Sequence, residues 1–147
     1  SVQREIGEAT AAQKFVLCDR YALSTLVYQC AMIGDLHLQS NLARTIDFMH
    51  RAAALHTPEL TFILDAPVEV LRARLAQRGE RVDDTMMAHV EPAVRAMYLD
   101  IANAGLTSDG TYPWSVVGDI HVTQSDSEIG AVVEDCLETI WNREIQF

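Results

Sequence analysis

Leu60-Thr61-Phe62-Ile63-Leu64-Asp65-Ala66-Pro67 is an apolar run closed by an acid and followed by a proline. Near-continuous apolarity, without polar alternation, predicts a strand buried on both faces. Pro67 stands near the first position of a helix predicted over Val68–Arg78, where its missing N–H costs nothing. Upstream, Lys14-Phe15-Val16-Leu17-Cys18-Asp19 has the same form and predicts another buried strand, with Cys18 in the core. Residues 2 to 12 read as the end of a helix, and Ala22–Met32 and Leu36–Leu55 as two more. In the last of these, Leu38, Leu42, Ile46 and Met49 recur at helical spacing until Thr57-Pro58 stops the helix.

Downstream, Gly79–Asp84 is a charged break and Thr85–Ala104 a helix that Pro92 splits. Trp114–Val117 and Ile120–Val122 read as strands. Ser125-Asp126-Ser127-Glu128 is a capping-box opening for a last helix to about Trp141. Strands separated by helices imply right-handed crossovers and a parallel sheet with helices on both faces, an α/β fold in one domain over residues 1–147. In such sheets ligands bind beyond the carboxyl ends of the strands. Asp19, Arg20 and Asp65 stand at two such ends.

The bulk properties narrow the function. An apolar content of 49% over 147 residues suffices for one domain with a real core. No apolar stretch approaches the ~20 residues of a membrane-spanning helix, and Ser1-Val2-Gln3-Arg4-Glu5 is not the start of a signal peptide. Cys18, Cys30 and Cys136 lack metal-ligand spacing, and their odd number argues against a disulfide framework, so a cytoplasmic protein is expected. A net charge of −10 repels polyanions and excludes a nucleic-acid binder. Lys14 is the only lysine among 11 basic residues. Arginine's planar fork suits bidentate phosphate contacts, but the ratio as a whole reads as composition bias, and only arginines at particular places carry functional weight. The five histidines fall at no ligand spacing and form no predicted site.

Two segments carry the chemistry. Cys18-Asp19-Arg20-Tyr21-Ala22-Leu23-Ser24-Thr25-Leu26-Val27-Tyr28-Gln29 puts an acid and an arginine at a strand tip, ahead of a helix with Thr25, Tyr28 and Gln29 on one face. Arg20 is suited to a phosphate, Asp19 to a hydrated magnesium ion and the helix face to a base and sugar. Read on these residues alone, a capped strand end with Tyr28 packed inside explains the stretch as well. In Leu71-Arg72-Ala73-Arg74-Leu75-Ala76-Gln77-Arg78-Gly79-Glu80-Arg81, Arg74 and Arg78 are one helical turn apart and suited to a single anionic ligand, or to a solvated basic face.

The first segment resembles the Asp-Arg-Tyr/His motif of thymidylate kinases, with the following Ser, Thr, Tyr and Gln in register. The second is similar to the family's strand ending in an acid, its next helix and its arginine-bearing lid, here around residues 78–84. Val94-Arg95-Ala96-Met97-Tyr98-Leu99-Asp100-Ile101-Ala102 resembles the helix after the lid, in which Tyr98 reads as a packing residue. The resemblance implies a P-loop nucleotide-kinase-like three-layer α/β/α fold and ATP-dependent phosphorylation of dTMP to dTDP with Mg2+. By it, Asp19 supports the metal through water and Arg20 binds the acceptor phosphate. Ser24, Thr25, Tyr28 and Gln29 take the nucleoside, with Tyr28 against the deoxyribose. Arg78 and Arg81 serve the transferring phosphates, and Arg74 the adenine side of ATP. A homodimer is a further family expectation, with the apolar faces of Leu23–Met32 and Leu38–Met49 as candidate surfaces.

The sequence departs from the pattern in places. No glycine-rich loop with Lys-Ser/Thr occurs among its seven isolated glycines, so the fold is expected to lack its first strand and P-loop, and the 147-residue chain to be inactive alone. Cys30–Asp35 replaces a glycine-rich turn, the lid stretch Arg81-Val82-Asp83-Asp84 is short, and Gly118-Asp119-Ile120-His121 reads as an insertion. The alternatives are a kinase of another nucleotide or nucleoside, and a non-catalytic, kinase-derived binding or assembly module.

Overall fold

The computed structural model describes residues 2–81, 83, 84, 86–104, 117–123, and then 130, 131, 133–135 and 138. The elements run α1 (Val2–Ala11), α2 (Ala22–Cys30), α3 (Leu36–Ala52), β1 (Leu60–Leu64), α4 (Val68–Gln77), a π-helical turn (Met86–Val90), α5 (Glu91–Asn103) and β2 (Asp119–Thr123). The chain is therefore α/β with a small parallel sheet, in which Leu60 pairs with Asp119 and Leu64 with Thr123. Local chemistry accounts for the boundaries. The Asp35 carboxylate accepts from the backbone N–H groups of His37 and Leu38 and caps α3, and Pro67 immediately precedes α4. Pro92 lies in the first turn of α5, so the expected split falls between the π-turn and the helix. Gly118 leads into β2, where a side-chain carbon would collide with the carbonyl oxygens of Pro58 and Glu59.

The core gathers around α2, which packs against α3 and α5. Leu26, Val27 and Cys30 are fully buried, joined by Ala43 of α3, Ile63 of β1, Val94 and Ile101 of α5, and Val117. Burial pushes the Cys30 thiol up from its usual range. Ile63 and Ile120 belong to this side of the sheet. On the other side the Phe62 and His121 rings meet at 5.8 Å, while Leu64 is 63% exposed. The sheet is thus open on that face at Leu64, in place of the expected cover on both.

Two expectations need correction. Lys14–Asp19 is not a strand: the described sheet has only β1 and β2, and residues 11–20 are all exposed, Cys18 included and Leu17 at 94%. An apolar run becomes a buried strand only where neighbouring strands accept its ladder and cover its side chains. The strand expected at Ile120–Val122 is present as part of β2, which begins within the Gly118–His121 stretch and aligns beside β1. In α3 the buried residues are Ala43, Asp47 and His50, while Leu38 and Met49 of the expected stripe face solvent. On the same helix the Asp47 carboxylate is buried in an ion pair with Arg51 one turn later, a polar burial that an apolar-periodicity reading does not register. The strand expected at Trp114–Val117 lies outside the described residues except for Val117. The last helix does so except for residues 130, 131, 133–135 and 138, which are helical.

His50 is 4% exposed and meets the Tyr21 ring edge-on at 6.2 Å. Burial lowers its pKa below the ordinary 6.5, a shift that the Asp47 charge and a hydrogen bond to the His56 backbone only partly oppose. A depressed folded-state value favours the neutral ring, so this contribution is complete above the unfolded pKa and is lost as pH falls through the folded one. Thermal melts stepped from pH 7 to pH 5 should therefore show falling stability in the parent chain and a flatter dependence in His50→Phe. In the main core, Leu26→Ala removes a fully buried side chain from the centre of α2. It should cost about 2–5 kcal/mol in denaturant unfolding.

Candidate functional site

The segment entering α2 turns on a single residue. Arg20 has φ 65, in the left-handed region, and Tyr21 returns to extended backbone with φ −145 and ψ −155. The left-handed state is uncommon for a residue bearing a Cβ and costs about 1–2 kcal/mol. The turn brings the Arg20 guanidinium over the Tyr28 ring, 5.5 Å from its centroid. At an exposed position such a contact contributes about 0.5–1 kcal/mol. Tyr21 points the other way, its hydroxyl accepting from Gln3 Nε2 of α1 at 2.6 Å. Tyr21 provides no side-chain cap, and the Ser24 N–H donates to the Tyr21 carbonyl at 3.0 Å in the first turn.

Arg20, Ser24 and Tyr28 are thus drawn together at the start of α2. Thr25 and Gln29 lie on the exposed side of the same helix, Tyr28 is half-buried, and Asp19 is exposed at the tip. The inward face of α2 is filled by Leu23, Leu26, Val27 and Cys30, so the outward residues take their direction from the core. Among the described residues no three His, Cys, Asp or Glu side chains converge as a metal site. Asp19 offers one solvent-facing carboxylate in the turn that leads into α2.

Arg74 and Arg78 stand at the exposed end of α4, which buries none of its residues, and Arg81 follows beyond Gly79, whose φ of 70 turns the chain. Arg78 lies 3.9 Å from Glu80, and Arg72 lies 3.7 Å from Asp84 across the expected lid. These contacts are exposed and of low intrinsic strength.

Two further groups join the site without a sequence signal. The Tyr98 hydroxyl on α5 is 2.9 Å from Ser24 Oγ. Burial raises its pKa above the usual 10.0, with the Ser24 hydrogen bond and nearby Arg20 opposing and Tyr28 and Glu91 reinforcing the shift, so the phenol stays neutral at physiological pH. Arg95, one turn earlier, donates through Nε to Asp65 Oδ1 at 2.6 Å and through a terminal nitrogen to Oδ2 at 2.8 Å. The Asp65 side chain is only 3% exposed, so the acid ending β1 is closed by a bidentate fork. Ser24 and Tyr98 are 74 residues apart, and Asp65 and Arg95 are 30 apart. No helical or strand periodicity links such pairs; only the packing of α5 onto α2 and β1 does.

A family model described as Thymidylate kinase matches residues 1–108. The chain is 34% identical over 118 residues to the thymidylate kinase of Dinoroseobacter shibae, covering 76% of this chain and 54% of the relative. It is 32% identical over 146 residues to that of Latilactobacillus sakei, covering 95% of this chain and 59% of the relative. With the probable thymidylate kinase of Pyrococcus horikoshii the identity is 31% over 133 residues, covering 90% and 58%. The chain therefore spans about half the length of the curated relatives it matches. No solved structure gives a significant match.

Removing one partner of the Asp65–Arg95 fork should be worse than removing both. Arg95→Leu strands a buried carboxylate without its fork, whereas Asp65→Asn combined with Arg95→Leu leaves a neutral pair. In a double-mutant cycle read by melting temperature, Arg95→Leu alone should be the less stable protein.

Proposed function

Because this chain belongs to the thymidylate kinase family, we propose that it forms the acceptor-binding and lid part of an enzyme transferring the γ-phosphoryl group of ATP to dTMP, giving dTDP and ADP. The observation carrying this reading is the start of α2, where the Arg20 guanidinium lies over the Tyr28 ring beside Ser24. The family match over residues 1–108 contains that segment.

In this reading Arg20 binds the dTMP phosphate. A guanidinium suits this role because its donors are fixed in a plane and stay charged at every relevant pH. Tyr28 supplies a flat surface for the deoxyribose, and its contact with Arg20 keeps both groups in place before substrate arrives. Thr25, one turn before Tyr28 on the exposed side, hydrogen-bonds the base edge, with Ser24 and Gln29 completing the nucleoside contacts. The in-line transfer spreads negative charge over the equatorial phosphate oxygens, so catalysis is mainly positioning and charge neutralisation. Arg78 and Arg81 supply that charge when they close on the phosphates, and Arg74 lies toward adenine.

Magnesium, when bound, neutralises the ATP phosphates. Its preference for retaining water fits the single exposed carboxylate of Asp19, acting through a water molecule. The phosphate-cradling loop belongs, in this reading, to the portion of the relatives' length that the chain does not span. A homodimer completes the proposal, supported by exposed Leu38, Phe48 and Met49 on α3.

Calorimetric titration with dTMP tests the reading directly. The parent chain should bind dTMP in preference to dCMP, dGMP and UMP, and Arg20→Ala should weaken binding at least ~10-fold, the loss expected for a charged hydrogen-bonding group. Equal affinity for all four nucleotides, or unchanged binding in Arg20→Ala, would overturn it.

A further inference from the structure

We infer that Tyr98 is a positioning residue for the acceptor site, its hydroxyl fixing the first turn of α2 through Ser24 while Arg95 fixes α5 to the tip of β1. The inference rests on the reading of α2 as the acceptor-binding helix and adds to it a residue outside the recognised motif.

The geometry has two anchors on one helix. Arg95 and Tyr98 are three residues apart on α5 and lie on neighbouring positions of its surface. Arg95 is forked onto Asp65, an acid buried at the end of a core strand, so this anchor is rigid in both distance and plane. Tyr98 spans to Ser24 at 2.9 Å. Ser24 belongs to the first turn of α2, where its own N–H bonds back to Tyr21. That turn directly follows Arg20, whose left-handed backbone sets the aim of its guanidinium. A small shift of Ser24 is therefore carried to Arg20 and to the Tyr28 ring beneath it.

Two observations favour positioning over packing alone. α2 has no side-chain cap at its N-terminus, so its opening turn has few other restraints. Tyr98 also reaches Ser24 from a different helix, and Ser24 stands one turn before Tyr28, whose ring carries the Arg20 guanidinium. A phenylalanine would fill the same space and keep the contacts of the ring with the core. The hydroxyl alone supplies the tie.

The test uses dTMP titration and amide hydrogen exchange on the parent chain, Tyr98→Phe, Ser24→Ala and the double variant. Tyr98→Phe should weaken dTMP binding roughly 3- to 10-fold, the range for one lost hydrogen bond, with little change in melting temperature. Ser24→Ala, which also removes a proposed nucleoside contact, should weaken it at least as much, and the double variant should be no worse than Ser24→Ala alone, because the Tyr98–Ser24 bond is already gone. Without nucleotide, the amides of Ser24, Thr25 and Leu26 should exchange faster in Tyr98→Phe, with those of α3 unchanged. Parent-like affinity and exchange in Tyr98→Phe would overturn the inference, as would additive losses in the double variant. Failure of the parent chain to bind dTMP would count against the proposed function. Exchange in the first turn of α2 would then decide the Tyr98 tie by itself, unchanged rates overturning it.

Discussion

The burial of one face of α2 is the constraint on which the rest of the molecule depends. A nine-residue helix cannot persist alone, because nucleation fixes several residues for each hydrogen bond gained. Its stability comes from Leu26 and Val27, both fully buried, each contributing about 1.5–3 kcal/mol by removal from water. Thr25 and Tyr28 flank those two residues in sequence, so the packing that forms the helix also fixes the rotation of its outer face. α3 and α5 close on α2, and α5 in turn bears the fork to β1. Core and candidate site are two sides of one element.

The chain holds two acid–arginine combinations near expected strand ends, and they have opposite fates. Asp65 is buried and its arginine comes from a helix, α5, so the two groups neutralise each other. Asp19 and Arg20 are adjacent in sequence and exposed. Arg20 rests on an aromatic face instead of a carboxylate. A guanidinium on a ring keeps its charge uncompensated by a carboxylate, whereas one forked onto a buried carboxylate commits two of its five N–H donors and its charge to that partner. The difference between a structural pair and a candidate binding group follows from burial and backbone direction, with the same residue types in both.

Local chemistry made much of this legible. The helices over Ala22–Cys30, Leu36–Ala52 and Val68–Gln77, and the strand at Leu60–Leu64, follow from spacing, caps and proline positions that need no knowledge of distant residues. What failed was nonlocal. Lys14–Asp19 has the composition of a buried strand, but composition cannot specify the neighbours that would make it one. Leu38 and Met49 have helical spacing but lie on the exposed side, because the buried side is fixed by Asp47, His50 and their partners. For the site, the grouping of Arg20 with Tyr28 was readable from one segment. The Tyr98 hydroxyl and the Asp65–Arg95 fork were not, since each joins residues that only the tertiary packing brings together.

Charge completes the account of how an acidic chain can be suited to anions. A net charge of −10 works against phosphate at long range, but beyond roughly 8–10 Å salt screens that repulsion. Binding is therefore decided by what lies within a few ångströms. Arg72, Arg74, Arg78 and Arg81 concentrate positive charge in ten residues, with Glu80, Asp83 and Asp84 among or just beyond them. The Arg78–Glu80 and Arg72–Asp84 contacts, at 3.9 and 3.7 Å and open to water, contribute at most about 1 kcal/mol each. Such pairs moderate arginine repulsion in the unliganded chain while costing little to exchange for a phosphate. A buried fork like that of Arg95 could not be exchanged so cheaply, because breaking it would leave Asp65 charged and out of water. Under the proposed function, the weakness of the lid ion pairs is what allows the lid to act.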